Sequence, residues 1–379
     1  MGTDELKERW LRYREAELSR GIPILAHHGF SLEEKQVHAE GERHLMAGAR
    51  DVGGGGYKLV LLGREAGTGR RVIIKISSTP QGKKEIERER TCRNVLQTLD
   101  FAVRAFFSPK ELLYTTVDGL LIFVTEYIKQ DRPLMERPLE EQFFLSLRVL
   151  ETQEGVHATT FAHAATIKKV FGMVGAKEYL AHFDTFKQGM LASCPSDARL
   201  AKAFAGAEAF LKEHTTVIER YSGFLTHADF VPNNLRIRGN DVYLLDYASI
   251  HFGNKYESWA RYVNYMVHHD PPLEEALLLY VRTNRSAEEY LALRLMRAYK
   301  LAFLLNYYAN HLAHTEGKLH DLVRLRLAFW TTVLEWILAD GRIEAPAVTE
   351  FLQKEKELRS PDELARQREL IGTNLTGVL

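Results

Sequence analysis

The residues best suited to chemistry in this sequence lie between His227 and Asp246. The stretch HADFVPNN contains His227, Asp229 and Asn234, and Asp246 directly follows the apolar run VYLL. Carboxylate and amide oxygens suit Mg²⁺, which keeps several waters and takes only one or two carboxylates from a protein. We therefore expect Asn234 and Asp246 to hold a magnesium ion. Asp229, held away from the metal, would accept the proton of an attacking hydroxyl.

A hairpin would bring these residues to one place. Asn234 follows Asp229 by five positions, and Asp246 follows Asn234 by twelve. Residues 239–241, Gly-Asn-Asp, separate two short apolar runs and are typical of a tight turn. The loop that contains Asp229 and the end of the second strand would then face the same point.

Four glycines and one strand lysine provide candidate phosphate-binding groups earlier in the chain. Backbone N–H groups beside glycines approach phosphate oxygens without Cβ clashes. The glycines are Gly53, Gly54, Gly55 and Gly56. Lys75 lies in the β-branched run VIIKIS, where its charge needs a partner or a phosphate. In the helical pattern KKEIERER, Glu89 lies on the face of Ile86 and is the expected partner, with Glu85 as the alternative.

The elements that must position these residues fall into two groups. From about Gly53 to Ile128 the patterns read strand, strand, helix, strand, strand, and Asp118 with Gly119 marks a hairpin. Beyond residue 133 helical spacing dominates, interrupted by the strand-like run NLRIRGNDVYLLDY. The sequence therefore predicts an α+β chain with two lobes, a small antiparallel sheet with one helix and a larger, mainly helical lobe.

The two groups also predict domain boundaries. We expect a helical N-terminal extension over residues 1–45, a nucleotide-binding N-lobe over 46–131 and a helical C-lobe over 132–379. The hinge would lie near Glu126 to Asp131. The C-lobe would contain a catalytic loop over 225–253 and the acceptor pocket.

Composition excludes some classes of partner. Lys plus Arg and Asp plus Glu are 50 each among 379 residues, so no global field attracts nucleic acid or an anionic membrane. The charged start MGTDELKERW is unlike a secretory signal, and no apolar run is long enough for a membrane span. We expect a cytoplasmic protein with no nucleic-acid or membrane partner, in which Cys92 and Cys194 are buried thiols.

In order and spacing, these motifs resemble those of the aminoglycoside phosphotransferase and choline-kinase-like family, part of the wider protein-kinase-like fold. The resemblance covers roughly residues 45 to 265, and H-x-D-x-x-x-x-N followed by a strand Asp is its most specific part. It implies a kinase that uses Mg²⁺ and ATP or GTP. The acceptor would be a hydroxyl of a small molecule.

The resemblance also implies a role for each matching position. Asp229 would be the catalytic base and His227 would structure its loop. Asn234 and Asp246 would bind Mg²⁺, and Lys75 would bind the α- and β-phosphates. The hinge residues Glu126, Tyr127 and Ile128 would lie at the nucleotide base.

Three departures from the family pattern leave alternatives open. Ala228 replaces a usual Gly, Tyr247 and Ala248 replace a Trp-Glu or similar pair, and Glu257-Ser258 stands where an Asp commonly braces the catalytic loop. A degenerate module that binds nucleotide or scaffolds a partner is therefore an alternative. A protein kinase is disfavoured because the chain enters a helix within about a dozen residues of Asp246. The sequence does not choose among aminoglycoside, choline-like, sugar and amino acid acceptors, between ATP and GTP, or among oligomeric states.

Overall fold

The two predicted lobes are confirmed in a computed structural model, which describes residues 3–36, 58–99, 106–156, 163–239, 241–361 and 363–364. The N-lobe contains a five-stranded antiparallel sheet, and the C-lobe is mainly helical. Gly53 to Gly56 and the proposed boundary at residue 45 lie outside the described residues. Among the described helices, none combines the length and the apolar character that crossing a bilayer requires.

The N-lobe begins with a long helix and a short strand. Its elements are α1 (Thr3–His27), β1 (Phe30–Leu32), β2 (Leu59–Glu65), β3 (Arg71–Ser77), α2 (Pro80–Thr98), β4 (Glu111–Val117) and β5 (Leu120–Glu126). The sheet order is β1-β2-β3-β5-β4. The predicted order of strand, strand, helix, strand, strand is confirmed from β2 to β5. Strand β1 was not predicted; it pairs with β2 and lies within the segment assigned to the helical extension.

Alternation along β3 decides which side chains face α1 and which face the opposite side of the sheet, toward the cleft between the two lobes. Val72, Ile74 and Ile76 are fully buried and pack in one apolar cluster with Trp10 and Leu25 of α1. Because successive side chains of a strand point to opposite faces, Lys75 points away from α1.

Helix α2 covers the opposite side of the sheet from α1. Thr79 caps the helix, since its hydroxyl accepts a hydrogen bond from the Gly82 N–H at 3.1 Å, and Pro80 occupies the first turn. Residues 80–82 therefore form the first turn of the helix. Ile86 packs against Leu121 and Phe123 of β5. This contact places the face of α2 that contains Glu89 toward the sheet.

The C-lobe is a set of helices packed around one long central helix. Its helices are α3 (Leu139–Glu154), α4 (Ala164–Val170), α5 (Ala176–Ser193), α6 (Ala198–Glu213), α7 (Thr215–Arg220), α8 (Glu257–His269), α9 (Pro271–Asn284), α10 (Ala287–Leu312), α11 (Gly317–Leu338) and α12 (Ala345–Leu358). Helix α10 contacts α5, α8 and α11. Helices α6 and α7 meet at His214. Cys92 and Cys194 are buried free thiols, as predicted.

Two short antiparallel strand pairs interrupt the helices and lie on the C-lobe side of the cleft. Strand β6 (Phe224–His227) pairs with β9 (Ile250–Gly253), and β7 (Leu235–Arg238) pairs with β8 (Asp241–Leu244). The second ladder is the predicted hairpin, and Gly239 in its turn has a φ of 57°. Leu235 pairs with Leu244 at the open end of this hairpin. The loop before β7 and the loop after β8 therefore lie side by side.

Candidate active site

Asp229 and Asn234 lie in one loop, between β6 and β7. The Asn234 side-chain amide nitrogen donates to the Asp229 carbonyl oxygen at 2.8 Å and to its carboxylate Oδ2 at 3.3 Å. A short 3₁₀ turn over Pro232–Asn234 leads into β7. Because the amide nitrogen is used within the loop, the amide oxygen is the Asn234 atom suited to bind a cation.

Asp246 lies beside this loop in a left-handed conformation, with φ 57° and ψ 56°. The adjacent Leu245 N–H donates to the Asn234 carbonyl oxygen at 2.8 Å, and the Ser249 hydroxyl donates to Asp246 Oδ2 at 3.0 Å. Burial alone would raise the pKa of Asp246, but the ammonium groups of Lys58 and Lys75 outweigh it and hold that pKa below its usual value. Asp246 is therefore a charged carboxylate next to the Asn234 amide.

His227, at the end of β6, connects the loop that contains Asp229 with the segment that contains Asp246. The ring is fully buried, and its Nε2 lies 3.0 Å from the Asp246 carbonyl oxygen and 3.3 Å from that of Leu245. Burial lowers the pKa of His227, so the ring is neutral near pH 7. Since a carbonyl only accepts, Nε2 carries the proton and donates it to these backbone oxygens.

Ser258, one of the two residues at which the sequence departs from the expected bracing Asp, bonds to the strand that leads into the loop of Asp229. Its Oγ accepts hydrogen bonds from the His227 N–H at 2.9 Å and from the Gln153 amide at 2.8 Å. It also shares a hydrogen bond of 2.8 Å with the Thr226 hydroxyl. A neutral hydroxyl at the start of α8 therefore connects β6, α3 and the catalytic loop.

Glu257, the neighbour of Ser258, forms a buried charged cluster. Its carboxylate accepts from the Tyr179 hydroxyl at 2.5 Å and lies 2.9 Å from His251 Nε2 and 3.2 Å from Lys300 Nζ. Burial would raise the pKa of Glu257, but His251 and Lys300 hold it well below its usual range. These three partners lie on α5, β9 and α10, so no local sequence signal identifies this cluster.

Both glutamates that the sequence proposed on α2 pair with a lysine. Lys75 Nζ lies 2.5 Å from Glu89 Oε1, which agrees with the first choice of partner. Glu85 lies 3.3 Å from a different residue, Lys58 Nζ. Lys58 was missed by the sequence analysis, although its place between a run of glycines and a strand is a usable signal.

The predicted hinge leaves the end of β5. The Glu126 carboxylate accepts from the Lys110 N–H at 2.9 Å, and the Arg71 guanidinium lies 4.5 Å from the centre of the Tyr127 ring. Ile128 is buried at 3% exposure. The hinge residues 126–128 therefore connect the lobes, and their side chains contact neighbouring residues or are buried.

A cavity of about 820 Å³ extends from the catalytic loop into the C-lobe. Asp229, Asn234 and Asp246 line one end, and both aromatic side chains such as Tyr299 and Trp330 and charged side chains such as Lys300 line the rest. Arg261 of α8 also lines the cavity, and its Nε and Nη2 lie 2.9 and 2.8 Å from Asp229 Oδ1. Arg261 was not predicted, because no sequence motif provided a signal for it.

Comparison with known proteins shows which solved structures have a similar fold. The sequence matches no protein-family model and no curated protein. The crystal structure of aminoglycoside phosphotransferase APH(4)-Ia is 15% identical over 77% of this chain and 93% of that chain, with a TM-score of 0.50. The GDP complex of aminoglycoside 2'-phosphotransferase-IIIa is 13% identical over 78% and 95% of the two chains, with a TM-score of 0.48. The chain therefore has the two-lobed, kinase-like fold of the aminoglycoside phosphotransferases.

Proposed function

We propose that this protein is a Mg²⁺-dependent small-molecule kinase, which transfers the γ-phosphoryl group of ATP or GTP to a hydroxyl of its acceptor. One observation supports this above all others. The Leu245 N–H to Asn234 carbonyl bond joins the two loops, so that an amide oxygen and the charged Asp246 carboxylate lie next to Asp229. Lys75, on the facing sheet, contributes to the field at Asp246.

The donor set fits magnesium. Asn234 and Asp246 provide one amide oxygen and one carboxylate, and Mg²⁺ takes few protein ligands because it keeps waters and binds phosphates. The ion would neutralise phosphate charge that Asp229 and Asp246 otherwise repel, at roughly 4 kcal/mol per pair of unit charges at about 4 Å and an effective dielectric near 20.

The remaining residues bind the nucleotide, position the loops and accept the proton. Asp229 accepts the proton of the acceptor hydroxyl as that oxygen attacks the phosphorus atom. Lys75 binds phosphate oxygens, and Glu89 fixes the lysine when no nucleotide is present. His227 keeps the loops of Asp229 and Asp246 in register. The hinge residues Glu126, Tyr127 and Ile128 bind the nucleotide base.

The first test is nucleotide binding with and without Mg²⁺. Nucleotide at 100 times its dissociation constant stabilises a folded protein by about 2.7 kcal/mol, which raises the melting temperature by a few degrees. We expect ATP or GTP to give this shift only with Mg²⁺, and Asp246→Ala to abolish it. Asp241→Ala, in the turn of the same hairpin, is the control and should keep the shift. Retention of the Mg²⁺-dependent shift by Asp246→Ala would exclude Asp246 as a metal ligand.

The second test concerns the base. Once an acceptor is found by ADP release, Asp229→Asn should bind nucleotide normally and lower the rate by about 10²- to 10⁴-fold. An unchanged rate in this variant would rule out Asp229 as the base.

The alternative is a nucleotide-binding module without catalysis. The departure at residue 258 was one reason to consider it, but Ser258 makes the bracing contacts through its hydroxyl. Acceptor-dependent release of ADP would exclude this alternative.

A further inference from the structure

A second lysine lies on the cleft side of the N-lobe sheet. Lys58 directly precedes β2, in which Leu59 pairs with Ile76 and Val60 pairs with Lys75. Leu59 is buried in the cluster against α1, so Lys58, like Val60, belongs to the other face. Lys58 and Lys75 therefore share the face of the sheet that α2 covers.

Helix α2 presents one carboxylate to each lysine. Glu85 and Glu89 are one turn apart, and their distances to Lys58 and Lys75 are 3.3 and 2.5 Å. The Lys58 side chain is 21% exposed and that of Glu85 is 36% exposed. Lys58 thus repeats the Lys75–Glu89 arrangement one helical turn earlier, with a partner that water reaches more easily.

Lys58 is charged and acts on the proposed metal ligand. Burial would lower its pKa, but the carboxylates of Asp246, Glu89 and Glu85 outweigh burial and raise that pKa above its usual value. This field links Lys58 to the cleft as well as to α2.

We propose that Lys58 is a second phosphate-binding cation of the nucleotide site. The assignment rests on the proposed function, because it needs a nucleotide in this cleft. A nucleoside triphosphate is a polyanion, and one magnesium ion with one lysine leaves part of its charge uncompensated. Lys58 supplies a further positive charge on the same face and exchanges Glu85 for phosphate oxygen.

The test compares the affinity of Mg²⁺–ATP and Mg²⁺–GTP for the wild type and for Lys58→Met by calorimetry. We expect the triphosphate to bind at least about 10-fold more weakly to the variant, a loss of about 1.4 kcal/mol. Adenosine and guanosine, which lack phosphates, should bind both proteins alike. Lys58→Arg should recover most of the affinity, and Lys84→Met, on the exposed side of α2, should behave as the wild type.

The outcomes separate this assignment from the proposed function. If the wild type binds triphosphate and Lys58→Met binds it equally well, Lys58 is not a phosphate-binding residue while the kinase proposal stands. If the wild type binds neither nucleotide, both proposals fail. Equal weakening for triphosphate and nucleoside would show a general disturbance of the lobe and would overturn the assignment.

An independent observation concerns the charge of the acceptor. Apart from Asp229 and Asp246, the described residues that line the cavity include three carboxylates, those of Glu257, Glu355 and Glu363. The five cationic side chains of that lining are Arg88, Arg261, Lys300, Arg326 and Arg359. Arg261 pairs with Asp229 at 2.8 Å, so the five cations of the whole lining balance its five carboxylates and leave no excess of negative charge.

The carboxylates of this lining are already engaged. Glu355 lies 2.8 Å from Arg326 and 2.6 Å from Arg359, and Glu257 holds Lys300 and His251. Glu363 is buried at 2% exposure, and its charge acts on Arg326. A polycationic acceptor would have to displace these internal cations and leave buried charges unpaired.

We infer that the acceptor is a hydroxyl compound that is not a polycation, because the cavity has no excess of negative charge to bind one. This inference also rests on the proposed function. It is tested by adding hygromycin B or gentamicin to the protein loaded with Mg²⁺ and a non-hydrolysable nucleotide, and by measuring melting temperature. We expect no saturable shift from either compound, whereas saturable binding of either would overturn the inference. The shift caused by the nucleotide, measured in the same samples, shows separately whether the proposed function holds.

Discussion

The two sides of the cleft hold their charges in different ways. On the N-lobe side, Lys58 and Lys75 each meet one glutamate of α2, and these side chains are between 10% and 36% exposed. On the C-lobe side, the Glu257 side chain is 3% exposed and touches three partners, and Ser258 next to it is buried as well. The first arrangement consists of two separate pairs, of which Lys58–Glu85 is the more exposed, and the second is a closed network.

The difference indicates that the two arrangements have different roles, one in ligand binding and the other in stability. A partly exposed pair such as Lys58–Glu85 can exchange its carboxylate for a phosphate at little cost, because water reaches both groups. A buried network loses several hydrogen bonds together when one member is changed. We therefore expect substitutions in the C-lobe network to lower stability, and substitutions in the N-lobe pairs to act mainly on nucleotide binding.

The largest effect should come from Glu257→Gln. Removal of this charge leaves Lys300 buried without its carboxylate, and such a change costs about 3–5 kcal/mol. Urea unfolding measures the loss. The control is Glu288→Gln, which breaks a pair with the exposed Arg220 and should cost less than about 1 kcal/mol. Similar losses for the two variants would contradict the description of Glu257 as part of a closed network.

Ser258→Ala should have the next largest effect. The substitution leaves the His227 N–H without its acceptor and removes one of the two acceptors of the Gln153 amide nitrogen, at a cost of about 1–3 kcal/mol. Ser222→Ala removes a single hydrogen bond to the Ile218 carbonyl and should cost less in the same unfolding experiment. If both variants lose the same stability, Ser258 does not brace the loop.

A smaller effect concerns pH. His268, at the cavity wall, packs against the rings of His269, Trp330 and Phe351. Burial, assisted by the positive charges of Arg359, Arg326 and Arg261, lowers the pKa of His268 to about 3. In the unfolded chain this pKa is about 6.5, so the unfolded state binds more protons between these values.

The neutral ring of His268 therefore contributes stability above about pH 6.5, which is lost as the pH falls toward 3. The free energy of unfolding should therefore fall as the pH is lowered, and this dependence is called the acid limb. We expect His268→Gln to reduce the slope of the acid limb by roughly 1 kcal/mol per pH unit, which is followed by measuring melting temperature between pH 7 and pH 5. His28→Gln, which changes an exposed ring, is the control. An acid limb of unchanged slope in His268→Gln would show that this ring protonates in the folded state.

Glu85→Gln should have the smallest effect on stability. Its pair with Lys58 is partly exposed, so its loss should cost less than about 1 kcal/mol. Affinity for triphosphate should not fall, because Lys58 loses a competitor for phosphate. Glu87→Gln, on the exposed side of the same helix, is the control. A loss as large as that of Ser258→Ala would place Glu85 in a closed network and remove the contrast between the two sides of the cleft.

Most of the architecture was accessible from the sequence because its signals are local. Alternation and turn residues predicted β2 to β5, and the spacing of Ile86 and Glu89 predicted the pairing of Glu89 with Lys75. The hairpin between Asn234 and Asp246 followed from its turn and apolar runs. Strand β1 was missed because three residues provide too little pattern to recognise.

The sequence by itself determined the order of the elements and the spacing of Asp229, Asn234 and Asp246, since turns and periodicity depend on neighbours along the chain. Only the tertiary structure decided that Lys58 meets Glu85, that Ser258 braces His227 and that Arg261 lies on Asp229. The members of each of these pairs are more than 25 residues apart in the chain. Their contacts depend on how lobes and helices pack, and periodicity along one segment does not specify that packing.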